Sequence, residues 1–103
     1  MHVIETETYL RSAERMMSAA ERIAVIDFFA ANPQAGEVIP GGGGLRKVRV
    51  PLAGRGKRGG ARVISYFVDA RGVYLLLAYA KNEQGNLTPA QARTLARMIE
   101  TLF

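Results

Sequence analysis

Residues 45–68, LRKVRVPLAGRGKRGGARVISYFV, carry the pattern on which the fold and function of this chain depend. No acidic residue lies between Glu37 and Asp69, whereas seven of the chain's 14 lysines and arginines lie there. The remaining sequence has seven basic and nine acidic residues, so the net charge of +5 arises in this stretch. Positive charge confined to one segment indicates a polyanionic partner, and phosphate is the obvious anion. A solvated basic hairpin that only aids solubility is the less favoured alternative.

The two ends of this stretch predict a β-hairpin. In residues 45–50, the alternation places Lys47 and Arg49 on one face and the two valines on the other. The second arm is predicted over residues 61–68. One of its faces carries Arg62, Ile64, Tyr66 and Val68, and the other carries Val63 and Phe67. Periodicity alone does not say which face meets the core.

The sequence before the hairpin predicts a strand and two helices. Residues 2–6 are rich in β-branched side chains and predict a strand, and residues 8–17 have apolar side chains at helical spacing. Ser18 and Glu21 have the spacing of a capping box, so a second helix is predicted from there to Asn32-Pro33. The apolar segment 23–31 favours core packing, and a surface kept for a protein partner is the alternative. Residues 33–44 are predicted as a loop whose four glycines form a flexible hinge or a close-approach turn.

The sequence after the hairpin predicts one more strand and a helix. Residues 73–80, VYLLLAYA, are apolar without alternation, which favours a strand covered on both faces over a buried helix. Thr88, Pro89 and Gln91 predict the start of the last helix. Its expected buried positions are Ala92, Leu95, Ala96, Ile99 and Leu102. The predicted fold is a single α+β domain, residues 1–103, with a small, mostly antiparallel sheet packed against two N-terminal helices and one C-terminal helix.

Composition excludes several kinds of site. The chain has no cysteine, so disulfides and thiolate chemistry are excluded, and a reducing cytoplasm is the expected location. With His2 as the one histidine, no metal site and no Ser-His-acid triad is predicted. Residues 54–59 match G-x-G-x-x-G, but a strand rather than a helix follows them, so no dinucleotide cofactor is predicted. No membrane span or signal peptide is expected either.

The remaining candidates form a phosphate-directed group. Its members are Lys47, Arg49, Arg62, Tyr66 and Lys81. Such a set suits RNA cleavage by the neighbouring ribose hydroxyl, because cations stabilise charge on the phosphorane oxygens and a lysine can transfer protons. A binding patch with the same cations and no chemistry is an equally open alternative at this point.

Two segments have a recognisable pattern, namely residues 36–68, GEVIPGGGGLRKVRVPLAGRGKRGGARVISYFV, and residues 73–91, VYLLLAYAKNEQGNLTPAQ. They resemble the RelE/ParE superfamily of toxins, and within it the HigB-like branch. The GLRK strand, the GRGKRGG loop and the YAKNE…LTP junction carry the likeness, which extends over roughly residues 2–100. The order of predicted elements also agrees with a RelE-like fold.

The resemblance implies a type II toxin that cuts mRNA in the ribosomal A site and is silenced by an antitoxin, usually of helix-turn-helix type in this branch. Cleavage by the 2′-hydroxyl would leave a 2′,3′-cyclic phosphate and a 5′-hydroxyl. By position, Lys47 and Arg49 match paired catalytic basic residues, Arg62 matches an arginine that binds the transition-state phosphate, and Lys81 and Asn82 match basic positions after the buried strand. RNA or ribosome binding is expected of Arg46, Arg55, Lys57, Arg58 and Asn82.

The chain also departs from the family pattern. The functional tyrosine that RelE enzymes carry after the last strand is missing from residues 86–88, and Asn82 replaces the second cation of a Lys-Arg pair. Tyr66 is retained as a candidate that could stack on a base. Two alternatives to a ribonuclease stay open, a ParE-like inhibitor that binds a topoisomerase and a non-catalytic RNA-binding relative.

Overall fold

The computed structural model describes residues 2–50, 60–81 and 84–102. The helices and strands in chain order are β1 His2–Glu5, α1 Glu7–Glu14, α2 Ala19–Ala31, β2 Glu37–Val38, β3 Leu45–Val50, β4 Ala61–Asp69, β5 Gly72–Ala80 and α3 Pro89–Leu102. Within these ranges, the five strands form one sheet in the order β1-β5-β4-β3-β2, in which the β1–β5 pair is parallel and the other pairs are antiparallel. The predicted α+β fold is confirmed. None of the helices in the described ranges is long and apolar enough to cross a membrane.

The sheet separates two apolar cores. Helices α1 and α2 supply Tyr9, Ala13, Val25 and Phe29 to one core, and Leu95 of α3 belongs to the other. Val48 of β3 lies in the first core and Leu45 in the second, as a strand with alternating faces requires. The face of the sheet that carries α3 is called the α3 face below.

The predicted hairpin of β3 and β4 is present. Antiparallel pairing places Leu45 opposite Tyr66, Lys47 opposite Ile64 and Arg49 opposite Arg62. Directly paired residues point to the same side of a sheet. Because Leu45, Ile64 and Tyr66 pack in the core under α3, the basic residues of this row also lie on the α3 face.

Strand β5 contains a bulge that reverses its alternation. Leu75 pairs with Ser65 and Leu77 pairs with Ile64, so Leu76 is an extra residue between them. Before the bulge, Leu75 lies in the core under α1 and α2; after it, Leu77 and Tyr79 lie in the core under α3. The bulge therefore directs Tyr79 onto the α3 face.

The first helix is shorter than predicted. It ends at Glu14, and the amide groups of Met16 and Met17 both donate to the carbonyl of Ala13, which closes the last turn. The chain must leave the helix there because Ser18 takes an extended conformation as the N-cap of α2. The predicted capping box is confirmed, since Ser18 and Glu21 exchange side-chain and backbone hydrogen bonds. Met17 is nevertheless buried in the core.

The expectation that residues 23–31 serve mainly as core is wrong. Only Val25 and Phe29 of α2 are buried, whereas Ile23 is 59% exposed and Phe28 is 37% exposed. Helix α2 packs at the edge of the sheet beside β1, so one stripe of its apolar surface finds a partner in the fold. Arg22 of α2 also forms ion pairs with Glu5 and Glu14, at 3.5 and 3.9 Å.

The loop predicted over residues 33–44 contains the short strand β2. Two residues are too few for a recognisable alternation, so the sequence carries no signal for it. The glycines that follow make a close turn: the amide of Ile39 donates to the carbonyl of Leu45, and Gly41, Gly43 and Gly44 have positive φ angles of 69°, 65° and 102°. The glycines therefore form a turn, which is one of the two structures expected for them.

Helix α3 begins as predicted. The amide of Gln91 donates to Oγ1 of Thr88, and the amide of Thr88 donates to Oε1 of Gln91. The predicted buried stripe is correct at Leu95 but wrong at Leu102, which is 42% exposed because the last turn of the helix extends past its core contacts.

Ser12 links α1 to the centre of the sheet. Its hydroxyl donates to the carbonyl of Tyr9 and accepts a 2.9 Å hydrogen bond from the amide of Ala78 in β5. Strand β1 pairs with β5 only as far as Leu75, so Ser12 satisfies an amide group that the sheet leaves open. We expect Ser12→Ala to lower the free energy of unfolding by about 1–3 kcal/mol, measured by urea denaturation, because a buried donor loses its acceptor. A loss below a few tenths of a kcal/mol would contradict this role.

Tyr9 makes stability depend on alkaline pH. Its side chain is fully buried, and burial, with a smaller contribution from Glu5, raises its pKa to about 12 from 10.0. The phenol ionises more readily in the unfolded chain than in the folded protein. Its contribution to the free energy of unfolding is therefore fully present below pH 10 and is lost as the pH rises towards 12. We therefore expect the free energy of unfolding to fall by roughly 2–3 kcal/mol between pH 9.5 and 12, because a pKa difference of one corresponds to about 1.4 kcal/mol. Tyr9→Phe should remove this part of the decline, and an unchanged pH profile in the variant would contradict the assignment.

Candidate RNA-binding and catalytic face

A row of three side chains crosses the sheet at one end of the α3 face. Arg62 of β4 lies between Arg49 of β3 and Tyr79 of β5, and it is the direct pairing partner of both. Arg49 is exposed, Arg62 is half-buried and Tyr79 is buried. This row of Arg49, Arg62 and Tyr79 is called the arginine row.

The positive charge of the arginine row is not neutralised within the described part of the chain. There, neither arginine has a carboxylate within 4.0 Å, although Arg22 and Arg71 elsewhere are paired with acids. Like charges directly opposite each other destabilise a sheet by up to about 1 kcal/mol. An anion bound between the two guanidinium groups would remove this repulsion.

Lys47 lies on the same face, two residues before Arg49 in β3, and its ammonium group is hydrogen-bonded. Its Nζ donates a 2.9 Å hydrogen bond to Oδ1 of Asn86, in the loop between β5 and α3. That loop is itself fixed, because Nε2 of Gln84 donates both to the carbonyl of Asn86 and to Oε1 of Gln91. The capping box of α3 therefore helps to set the position of the lysine ammonium group.

An open cavity of about 340 Å³ adjoins Lys47. Its polar lining comes from Glu37, Lys47, Asn86 and Thr88, and its apolar lining includes Ile39 and Leu87. Glu37 is the pairing partner of Lys47 in β2 and therefore brings a carboxylate to the same face. A volume of this size with mixed lining is large enough for a small polar group beside the lysine.

The structure brings together some of the predicted site residues and separates others. Lys47, Arg49 and Arg62 share the α3 face, as the alternation predicts. Lys81 is exposed and directly follows β5, two residues after Tyr79. Arg46 faces the other way, and its guanidinium donates to the backbone carbonyls of Gln34 and Gly36. Arg55, Lys57, Arg58 and Asn82 lie outside the described residues.

Tyr66 is on the expected face but is packed into the protein. It belongs to the core under α3, and a Cβ on Gly44 would lie 3.0 Å from Cε1 of its ring. Its partner across β5 is Tyr74, which lies towards the opposite end of the strands from Tyr79. The stacking of Tyr66 on a base stays a prediction.

Sequence reasoning misses three residues that lie at this face, namely Glu37, Tyr79 and Asn86. Glu37 falls in a segment predicted as a loop, and Asn86 lies in a loop without a pattern. Tyr79 is predicted only as one residue of a buried strand.

One face of this α+β fold therefore carries two arginines without an acidic partner in the described part of the chain, a hydrogen-bonded lysine and an adjoining cavity of mixed lining. The chain belongs to the RelE toxin family: the family model described as the RelE toxin of the RelE/RelB toxin-antitoxin system matches residues 30–103. The protein is therefore the toxin of a toxin-antitoxin system, and the family implies an antitoxin partner. The matched segment contains all the strands and loops that build the arginine row and the cavity.

Proposed function

We propose that this protein is an mRNA endonuclease that acts on the ribosome and inhibits translation. The observation that carries the proposal is the direct pairing of Arg49 and Arg62 on one face, with no carboxylate beside them among the described residues. Repulsion between two adjacent cations lowers the stability of the free protein, so we expect their role to be the binding of an anion. For a toxin of this family, we take the bound anion to be a phosphodiester group of RNA.

The proposed reaction is an attack by the ribose 2′-hydroxyl on the adjacent phosphorus. A bond forms between the 2′-oxygen and phosphorus, and the bond from phosphorus to the 5′-oxygen breaks. The 2′-hydroxyl loses a proton and the leaving 5′-oxygen gains one, so the products are a 2′,3′-cyclic phosphate and a 5′-hydroxyl. The protein must stabilise negative charge on the phosphorane and transfer these two protons.

The residues divide between these tasks by their chemistry. Arginine presents a planar fork of N–H donors that matches phosphate oxygens, so Arg49 and Arg62 suit binding of the phosphorane, with Arg62 at the centre of the row. Lysine amines can exchange protons, so Lys47 and Lys81 are the candidates for proton transfer. Lys47 is already held by Asn86, which favours a fixed role beside the scissile bond.

Docking to the ribosome is assigned to further basic residues. Arg55, Lys57 and Arg58 would contact ribosomal RNA, and such phosphate contacts weaken steeply as salt is added. The protein would act in the cytoplasm, as a member of the HigB-like branch, with an antitoxin of helix-turn-helix type.

The test is expression of the toxin without antitoxin, followed by mapping of RNA ends and measurement of translation rate. We expect new mRNA 5′-hydroxyl ends within coding regions and a fall in translation. DNA-damage signalling without mRNA cuts would replace the proposal with topoisomerase inhibition. RNA binding without new RNA ends would support the alternative of a non-catalytic RNA-binding relative.

A further inference from the structure

Two polar groups in the arginine row are buried and lack hydrogen-bond partners. They are Nε of Arg62 and the hydroxyl of Tyr79, neither of which has an acceptor or donor within reach in the described part of the chain. Tyr79 is only 4% exposed, and burial raises the pKa of its phenol while the charge of Arg62 opposes that rise. A buried polar group without a partner destabilises a fold, so each such group in a native protein requires an explanation.

Both groups are hydrogen-bond donors on neighbouring strands. Arg62 and Tyr79 are direct pairing partners across β4 and β5, so both side chains lie on the α3 face. Arginine has no acceptor atom, and its Nε–H here donates to nothing that the structure describes. Two unsatisfied donors on paired residues, with Arg49 as the next residue of the row, provide the chemistry that binds an oxygen anion.

We propose that the hydroxyl of Tyr79 and Nε of Arg62 together bind one non-bridging oxygen of the scissile phosphate. This inference rests on the proposed function, and it adds Tyr79 to the residues that touch the substrate. The ligand is phosphate rather than a carboxylate of a protein partner because Arg49 and Lys47 add further positive charge on the same face. A tetrahedral phosphate with several charged oxygens can satisfy all of these donors together.

A buried hydroxyl without a partner has opposite effects on stability and on function. Removing the hydroxyl of Tyr79 leaves the ring and its packing in place, so Tyr79→Phe should leave the melting temperature unchanged or raise it. The same change should slow cleavage by about 10- to 100-fold, because one donor to the developing charge is lost. A merely structural tyrosine would not separate these two effects.

Tyr9→Phe is the matched control. Tyr9 is also a buried tyrosine whose hydroxyl has no partner in the described ranges, but it lies in the core under α1 and α2, on the other side of the sheet. Its substitution should leave cleavage unchanged.

The cleavage experiment uses the purified full chain, ribosomes programmed with a short mRNA, and single-turnover conditions. The wild type and Tyr9→Phe should cut at equal rates, and Tyr79→Phe should cut about 10- to 100-fold more slowly at saturating ribosomes. Replacement of the non-bridging oxygen of the scissile phosphate by sulfur should slow cleavage by the wild type more than cleavage by Tyr79→Phe, because only the wild type has the Tyr79 hydroxyl that donates to this oxygen. Cleavage by Tyr79→Phe at the wild-type rate would overturn the inference while leaving the proposed function in place.

A binding measurement separates this inference from the proposed function. In ¹⁵N NMR spectra, titration with inorganic phosphate should shift the Nε–H signal of Arg62, and Tyr79→Phe should weaken the apparent affinity by several-fold or more. If phosphate binds in this way but the wild type does not cleave mRNA, the phosphate site is supported and the proposed ribonuclease activity is overturned. An Arg62 signal that does not respond, or equal phosphate affinity in both proteins, would overturn the site. Loss of antitoxin binding by Tyr79→Phe with normal cleavage would identify a protein carboxylate as the ligand instead.

Discussion

Cells that express the Arg62→Ala toxin without its antitoxin are expected to grow normally. Arg62 occupies the centre of the arginine row and is paired with Arg49 on one side and Tyr79 on the other. Among the described residues, no other position on the α3 face has a side-chain donor as its pairing partner on both sides. Removing one preorganised donor to a transition-state oxyanion typically slows a reaction by about 10²–10³-fold. A loss of that size should take cleavage below the rate needed to stop translation.

Arg71→Ala is the control for this experiment. It removes the same charge, but Arg71 lies in the turn between β4 and β5, where it is exposed and paired with Asp69. Growth arrest should persist in this variant. If Arg62→Ala and Lys47→Ala both remained as toxic as the wild type, the assignment of the site to this face would be wrong.

Gly36→Ala is expected to damage both the fold and the site. Gly36 has a φ of +95°, and a Cβ there would lie 2.5 Å from the carbonyl oxygen of Lys47 and 2.6 Å from Cγ2 of Val48. The backbone of β3 cannot retreat without disturbing its pairing with β4. We expect a loss of about 2–5 kcal/mol in the free energy of unfolding, from a left-handed conformation that disfavours alanine together with steric overlap. Because Lys47 must move, cleavage should also fall in the fraction that remains folded.

Gly41→Ala separates the two contributions. Gly41 also has a positive φ, of 69°, but a Cβ at this position would have no described atom within 4 Å. Gly41→Ala should therefore lower the free energy of unfolding only through the unfavourable backbone conformation, by about 1–2 kcal/mol, and should have little effect on cleavage. Equal stability of the two variants in urea denaturation would show that the close approach of Gly36 to β3 is not constrained as described.

The hairpin and its basic face could be predicted because they depend on alternation within short segments. Lys47 and Arg49 stand two residues apart in β3, and the residues paired with them in β4 have the same period. The start of α3 was equally predictable, since Thr88 and Gln91 meet through local hydrogen bonds.

Tyr79 could not be placed from the sequence because its orientation depends on the bulge at Leu76. In a regular strand Tyr79 would share the face of Leu75, under α1 and α2; the extra residue turns it towards Arg62. Asn86 is a similar case, since its contact with Lys47 joins residues 39 positions apart. Packing of α2 was mispredicted for a different reason: apolar composition does not reveal how much of a helix surface the rest of the fold covers.

The chemistry of mRNA cleavage on purified ribosomes tests the proposed ribonuclease most directly. The cut position is first mapped on an all-ribose mRNA, and a second mRNA then carries a single 2′-deoxynucleotide immediately 5′ of the scissile phosphate. We expect a 2′,3′-cyclic phosphate end from the first mRNA, no cut at that position in the second, and no measurable product from either with Arg62→Ala. Cleavage of the deoxy-substituted mRNA at the same bond, or growth arrest by a wild-type toxin that leaves the all-ribose mRNA intact, would contradict the proposed mechanism.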